Sequence, residues 1–276
     1  SKKKIVVKDT LKFLTEASSL IRENLSCKII SITGSSGKTS LKELLGQSLN
    51  KISQATYSPK SFNNKFGVPL SLFNLKKNDA FGVFEIGMDK KGEINYLSKI
   101  IKPDVGVITN ISYAHIKNFA NINDIALAKS EIIKNIKDNG YLILNKDDKF
   151  YSFHKKIGLK RNLKILSFSL TNKSATTNLI SISKKKSKYK ISININKKKI
   201  YFYYNSFFEN DLKNLLATIT IISIFKDIHR LDKNIFYNHK RINGRGDIMK
   251  VKLFKKNFYL VDESYNSNPS SLKSAL

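Results

Sequence analysis

The 276-residue sequence has one cysteine, no tryptophan, four prolines and two methionines. The lone thiol, Cys27, excludes an internal disulfide and points to a reducing, cytoplasmic compartment. No stretch reaches the ~18 consecutive apolar residues of a membrane span, and the basic start, SKKKIVVKD, is not followed by a signal-peptide core. Acidic residues are scarce: 21 against 50 lysines and arginines, a formal charge of +29. Such an excess ordinarily marks a polyanion binder. Arginine, the bidentate reader of bases and phosphates, is scarce too, with only Arg22, Arg161, Arg230, Arg241 and Arg245. The lysines are spread among abundant Ile and Asn, all residues with A/T-rich codons, so a biased genome accounts for the charge and no nucleic-acid partner is expected. Lys184-Lys185-Lys186 and Lys197-Lys198-Lys199 flank an alternating segment and read as solvated hairpin ends.

What is present is a core-forming 41% of hydrophobic residues and one distinctive stretch, KIISITGSSGKT, from Lys28 to Thr39. Ile29, Ile30 and Ile32 read as a buried parallel strand stopping at Thr33. Gly34-Ser35-Ser36-Gly37 forms a small-residue loop, and Lys38-Thr39 opens a helix. Together these make a phosphate cradle: loop amides and the positive helix end face an anion, Lys38 reaches the β/γ-phosphates, and Thr39 can ligate Mg²⁺. The spacing G-x-x-G-K-T is two residues shorter than the general phosphate-loop pattern.

Asp9 is placed to cap a helix from Thr10 to Asn24, with Leu11, Leu14, Ala17, Leu20 and Ile21 on its apolar face. After the cradle, strands are expected at 54–57, 80–86, 104–109 and 140–145. Helices are expected at 38–49, after Gly67, at 93–101, and from a cap at Asn123 or Asp124. This alternation predicts an α/β fold, a mostly parallel sheet flanked by helices. Beyond Leu163, alternating segments at 165–170, 179–183, 189–195 and 200–204 predict a smaller antiparallel subsheet. A helix over 211–225 and a hairpin from 248–254 and 258–262 follow. A last helix opens at Pro269. The Ser start and a final segment that stops inside that helix lead us to expect sequence on both sides.

Ligands of parallel sheets gather at the strand ends. Glu85 ends its strand and could hold Mg²⁺ or simply form a surface ion pair. His115, in NISYAHIKNF, could bind a second metal or be structural. Lys129, on an apolar helix, reads by default as a snorkelling surface lysine.

The ordered motifs ITGSSGKTSLKELL, SFNNKFGVPLSLFNL, FEIGMDKKGEINYL, KPDVGVITNISYAHIKNF, ALAKSEI, NKDD, NGR and DESYNSNP resemble the Mur ligases of peptidoglycan synthesis, from about Val7 to the last residue. The shortened glycine loop is a trait of that family. The resemblance implies an ATP-dependent ligase that activates a carboxylate as an acyl phosphate for attack by an amine. The tract NNKFGVPLSL and FEIGM…GEI favour the member that joins D-alanyl-D-alanine to UDP-N-acetylmuramoyl-tripeptide. By the same resemblance, Gly34, Ser35, Ser36, Gly37, Lys38, Thr39 and Ser40 would hold ATP phosphates, with Thr39 on Mg²⁺. Glu85 and His115 would bind two Mg²⁺ ions, and Lys129 would be carbamylated by CO₂ to support the second. Arg245, Asn266 and Asn268 would lie towards the nucleotide, and Asn63 and Asn64 near the phosphates. Residues 27–276 would form the central ATP-binding domain, entered by a helix (1–26) from a preceding domain and followed by another, in a monomer. Two departures bear on substrate contacts. The family's G-x-H is Phe208-Glu209-Asn210 here, and the proline before Gly-Arg is Asn243. The alternatives are a related amide ligase of the folylpolyglutamate synthase type and a basic nucleic-acid NTPase.

Overall fold

The strands over residues 28–33, 81–85, 105–108 and 141–145 are buried along nearly their whole length, as a sheet covered on both faces requires. The computed structural model describes residues 4–113, 118–240, 244, 247–254, 256–262 and 264. Nine strands form one sheet: β1 (Lys28–Thr33), β2 (Ala55–Tyr57), β3 (Phe81–Glu85), β4 (Val105–Ile108), β5 (Tyr141–Asn145), β6 (Lys164–Ser169), β7 (Thr177–Lys185), β8 (Lys188–Ile195) and β9 (Lys198–Tyr204). Their order is β2-β3-β1-β4-β5-β6-β7-β8-β9. All pairings from β2 to β7 are parallel; β7-β8 and β8-β9 are antiparallel. The antiparallel strands thus extend the parallel sheet, and 165–170, expected among them, belongs to parallel β6. The lysine-rich runs do sit at the β7-β8 and β8-β9 turns, where Lys186, Asn196 and Lys197 have positive φ. A separate two-stranded sheet pairs β10 (Asp247–Leu253) with β11 (Lys256–Asp262).

The helices are α1 (Thr10–Glu23), α2 (Lys38–Asn50), α3 (Gly67–Leu72), α4 (Glu93–Ile101), α5 (Ile122–Lys134), α6 (Tyr151–Lys160) and α7 (Glu209–Ile222). Alternate strand residues feed two cores. Ile30, Ile32, Val105 and Val107 pack with Leu41, Leu44 and Leu45 of α2 and Leu215, Leu216 and Ile219 of α7. Ile29, Phe84 and Ile108 pack with Ile94, Leu97 and Ile101 of α4 and Ile125, Ile132 and Ile133 of α5. Each fully buried Leu or Ile contributes about 1.5–3 kcal/mol, so the two layers dominate stability.

Three local expectations differ from the structure. In α1 the cap is Asp9, as expected, but Leu20 is 59% exposed and the buried face carries Ser18 and Arg22. Arg22 pins the helix, donating to the carbonyls of Leu25, Ile101 and Lys102 and to Asp104. The α5 cap is Asn121, whose side chain accepts from the amides of Asn123 and Asp124. The sequence reading leaves out α6: its lysines hide a short helix that buries only His154 and Gly158. The expected helix at Pro269 lies outside the described residues.

Candidate active site

The strand order reverses at β1, between β3 and β4, and a ligand crevice forms at the carboxyl ends of strands where the order reverses. The parallel register sets Ile32 beside Glu85 and Thr33 beside Ile108, so Glu85 ends next to the start of the loop. Gly34 has φ +149°, and a Cβ there would sit 1.8 Å from Thr109 Oγ1. Gly37, at φ +78°, caps α2, and its Cβ would lie 3.2 Å from Asn214 Oδ1. The tight loop is therefore built against β4 on one side and α7 on the other.

Side chains following β4 bind the loop closely. The Ser35 amide donates to the Asn110 carbonyl at 3.0 Å, and the Ser36 amide to Asn110 Oδ1 at 2.9 Å. Asn110 Nδ2 donates to Ser36 Oγ, Thr109 Oγ1 to the Ser36 carbonyl, and Ser35 Oγ to the Ser112 carbonyl. The amides of Ser35 and Ser36 are thus bonded to Asn110 inside the protein, and the loop runs through Gly37 into the first turn of α2. Lys38 folds back over the loop and donates to the Gly34 carbonyl at 2.9 Å, holding its ammonium at the cradle. Thr39 is buried in the first turn.

Glu85 is buried, 1% exposed. Its Oε1 accepts from Asn63 Nδ2 at 2.7 Å, while Oε2 is buried with no hydrogen-bond partner, as is Thr33 Oγ1. An orphaned carboxylate oxygen is costly unless a cation meets it. It therefore fits the Mg²⁺ expected at Glu85. Among the described residues no three His, Cys, Asp or Glu side chains converge. Asn64, by contrast, uses its side-chain oxygen locally, accepting from the amides of Phe66 and Gly67 at the start of α3.

Lys129 does not snorkel to the surface. It is 1% exposed inside α5, and no described residue accepts a hydrogen bond from it. Burial and then the Lys38 charge hold its amine well below the ordinary lysine range. Glu131, two residues on, is buried and accepts from the amides of Gly92 and Asn95, which fastens α5 to the start of α4. His154 of α6 packs beneath, Nε2 against the Ala126 carbonyl at 3.1 Å; burial lowers its pKa. His115, Arg245, Asn266 and Asn268 lie outside the described residues.

The structure therefore brings together the loop, Lys38, Thr39, Glu85, Asn63 and Lys129. The sequence reading missed Thr109, Asn110, Asn214 and Glu131. Asn110 carried a usable signal, a polar residue directly after an apolar strand; Asn214 is a lone Asn on an apolar helix, which by itself indicates nothing.

A family model described as the Mur ligase middle domain matches residues 32–222. The UDP-N-acetylmuramoyl-tripeptide–D-alanyl-D-alanine ligase of Buchnera aphidicola subsp. Baizongia pistaciae is 31% identical over 268 residues, 97% of this chain and 57% of that protein. Among solved structures, MurF from Acinetobacter baumannii superposes with a TM-score of 0.87 at 27% identity, covering 98% of this chain and 58% of that one. MurF from Thermotoga maritima, solved in complex with ADP, has a TM-score of 0.85 at 24% identity, covering 100% of this chain and 62% of that one, a likeness of fold. The chain thus spans under two thirds of the length of these relatives.

Proposed function

Because the chain belongs to the Mur ligase family through its middle domain, we propose that it is the ATP-binding part of a ligase joining D-alanyl-D-alanine to UDP-N-acetylmuramoyl-tripeptide in peptidoglycan precursor synthesis. The carrying observation is the buried, half-unpaired Glu85 beside a phosphate loop whose lysine folds over it. The names of relatives that align over nearly the whole chain support the substrate pair. An ADP-bound neighbour of the same fold supports the nucleotide. Residues 27–276 would form the central domain and 1–26 its lead-in, in a cytoplasmic monomer.

The chemistry follows from charge. The carboxylate of the acceptor peptide attacks the γ-phosphorus of ATP and ADP leaves. The amine of D-alanyl-D-alanine then attacks the acyl carbon, phosphate departs and the amine proton is lost to solvent. Lys38 and the start of α2 bind the phosphates and counter the charge on the transferred group. Mg²⁺, held by Thr39, Glu85 and His115, would supply further neutralisation of that phosphoryl. Asn63 orients Glu85, and Arg245, Asn266 and Asn268 would bind towards the nucleotide.

Lys129 supports the same reading. Amines add to CO₂ only when neutral, and burial with the Lys38 charge favours the neutral form. Nitrogen attacks the CO₂ carbon and a proton leaves, giving a carbamate. The product is an anion, which the Lys38 charge attracts.

The test is ADP release by the protein supplied with ATP, Mg²⁺, UDP-N-acetylmuramoyl-tripeptide and either D-alanyl-D-alanine or single amino acids. Release that requires both the tripeptide and the dipeptide is expected. Release driven equally well by a single amino acid would assign a different amide ligase.

A further inference from the structure

Lys42 lies on α2 one turn beyond Lys38 and Thr39 and is completely buried. A lysine ammonium is rarely sealed from water unless its donors are met. Here it donates to the Ser58 carbonyl at 2.6 Å and to the Lys60 carbonyl, and it pairs with Glu43 at 2.8 Å. Three donors meet three acceptors. Its contacts are with a loop rather than with the phosphate cradle.

That loop leads to Glu85. The Ser58 amide donates to the Val83 carbonyl at 3.0 Å, and the Glu85 amide to Ser58 Oγ at 3.3 Å. Further along, Asn63 Nδ2 holds Glu85 Oε1, and the Gly87 amide donates to the Asn63 carbonyl at 2.8 Å. Between them Lys60 has φ +47°, a left-handed conformation that disfavours a residue with a Cβ. The Lys42 ammonium grips the carbonyls of Ser58 and of that strained residue, so it fixes the loop where it departs from β2.

We propose that Lys42 is a positioning residue: it ties the helix that binds phosphate to the loop that aims Glu85, so that cation and nucleotide sites are set by one lysine. The proposal rests on the reading of Glu85 as a Mg²⁺ ligand.

ADP binding to the purified protein, measured by calorimetry across a Mg²⁺ series and in EDTA, separates the possibilities. Lys42→Met keeps the side-chain volume and removes the donors. It should raise the Mg²⁺ concentration for half-maximal enhancement about tenfold, the scale of losing an outer-shell partner. ADP affinity in EDTA should stay within about twofold. Equal losses with and without Mg²⁺, or none, would overturn the proposal. If Lys42→Met does not fold, the double variant Lys42→Met/Lys60→Gly relieves the left-handed strain and should show the same Mg²⁺ shift. Failure of both to fold would assign Lys42 to stability alone and also overturn it. Absence of any Mg²⁺ enhancement in the unaltered protein would instead overturn the reading of Glu85.

Discussion

Asn63 Nδ2 donates to one oxygen of Glu85 at 2.7 Å and leaves the other, Oε2, buried and unpaired. One oxygen is oriented by the protein, and the other is where we propose that the cation binds. On the proposed reading the arrangement trades stability for cation binding, since an unpaired buried charged acceptor costs about 1–3 kcal/mol or more.

Glu85→Gln should reveal that trade. The amide keeps the shape and removes the buried charge, so thermal stability should equal or exceed that of the unaltered protein. Mg²⁺-dependent strengthening of ADP binding should fall at least about tenfold, since a charge-assisted contact is worth roughly 1.5–3 kcal/mol. Differential scanning fluorimetry and calorimetry with and without Mg²⁺ check both halves.

Lys129 can be probed through pH, and Lys38 through ADP binding. The folded-state pKa of Lys129 is lowered, first by burial and then by Lys38, so the unfolded chain binds a proton that the folded chain lacks. Stability from this group therefore rises with pH up to the ordinary lysine value of 10.5. In CO₂-free buffer between about pH 8 and 9.5, Lys129→Met should show a shallower rise, by up to about 1.4 kcal/mol per pH unit. Urea titrations at several pH values measure the slope. Lys38→Met should weaken ADP binding by roughly 10–100-fold, the loss of one charge-assisted phosphate contact.

The carbamate has its own signature. With ¹³C-bicarbonate, the unaltered protein should give a carbonyl NMR resonance that disappears in Lys129→Met. Persistence of that resonance in the variant would move the modification to another amine.

His154 predicts behaviour on the acid side. Burial lowers its pKa against the opposing effects of the Ala126 carbonyl and Asp148, with Lys129 adding to the lowering. Below the ordinary histidine value of 6.5 the unfolded chain gains a proton first, so stability falls as pH falls. His154→Gln should make that acid limb shallower, as read by urea midpoints from about pH 7 to 5.

The two loop glycines should differ in severity. Gly34→Ala drives a Cβ into Thr109 and should unfold the loop or the protein. Gly37→Ala meets Asn214 at 3.2 Å and carries left-handed strain of about 1–2 kcal/mol. It should fold with a lower urea midpoint and weaker ADP binding.

The strand–loop–helix of the cradle, the parallel sheet, most element boundaries and the strand-end position of Glu85 are legible in the amino-acid order. Those rest on local signals: apolar runs, glycine spacing and a Lys-Thr pair at a helix start. A side chain's surroundings are not local. Lys129 and Lys42 sit on the same kind of helix as many exposed lysines, and only the packing of α5 and α2 decides that both are buried. Likewise β6 alternates like an antiparallel strand, yet its neighbour is β5, so pairing across the sheet makes it parallel. The tertiary structure alone decided that Ser35 and Ser36 give their amides to Asn110, because residues some 75 positions apart meet where β1 and β4 end side by side.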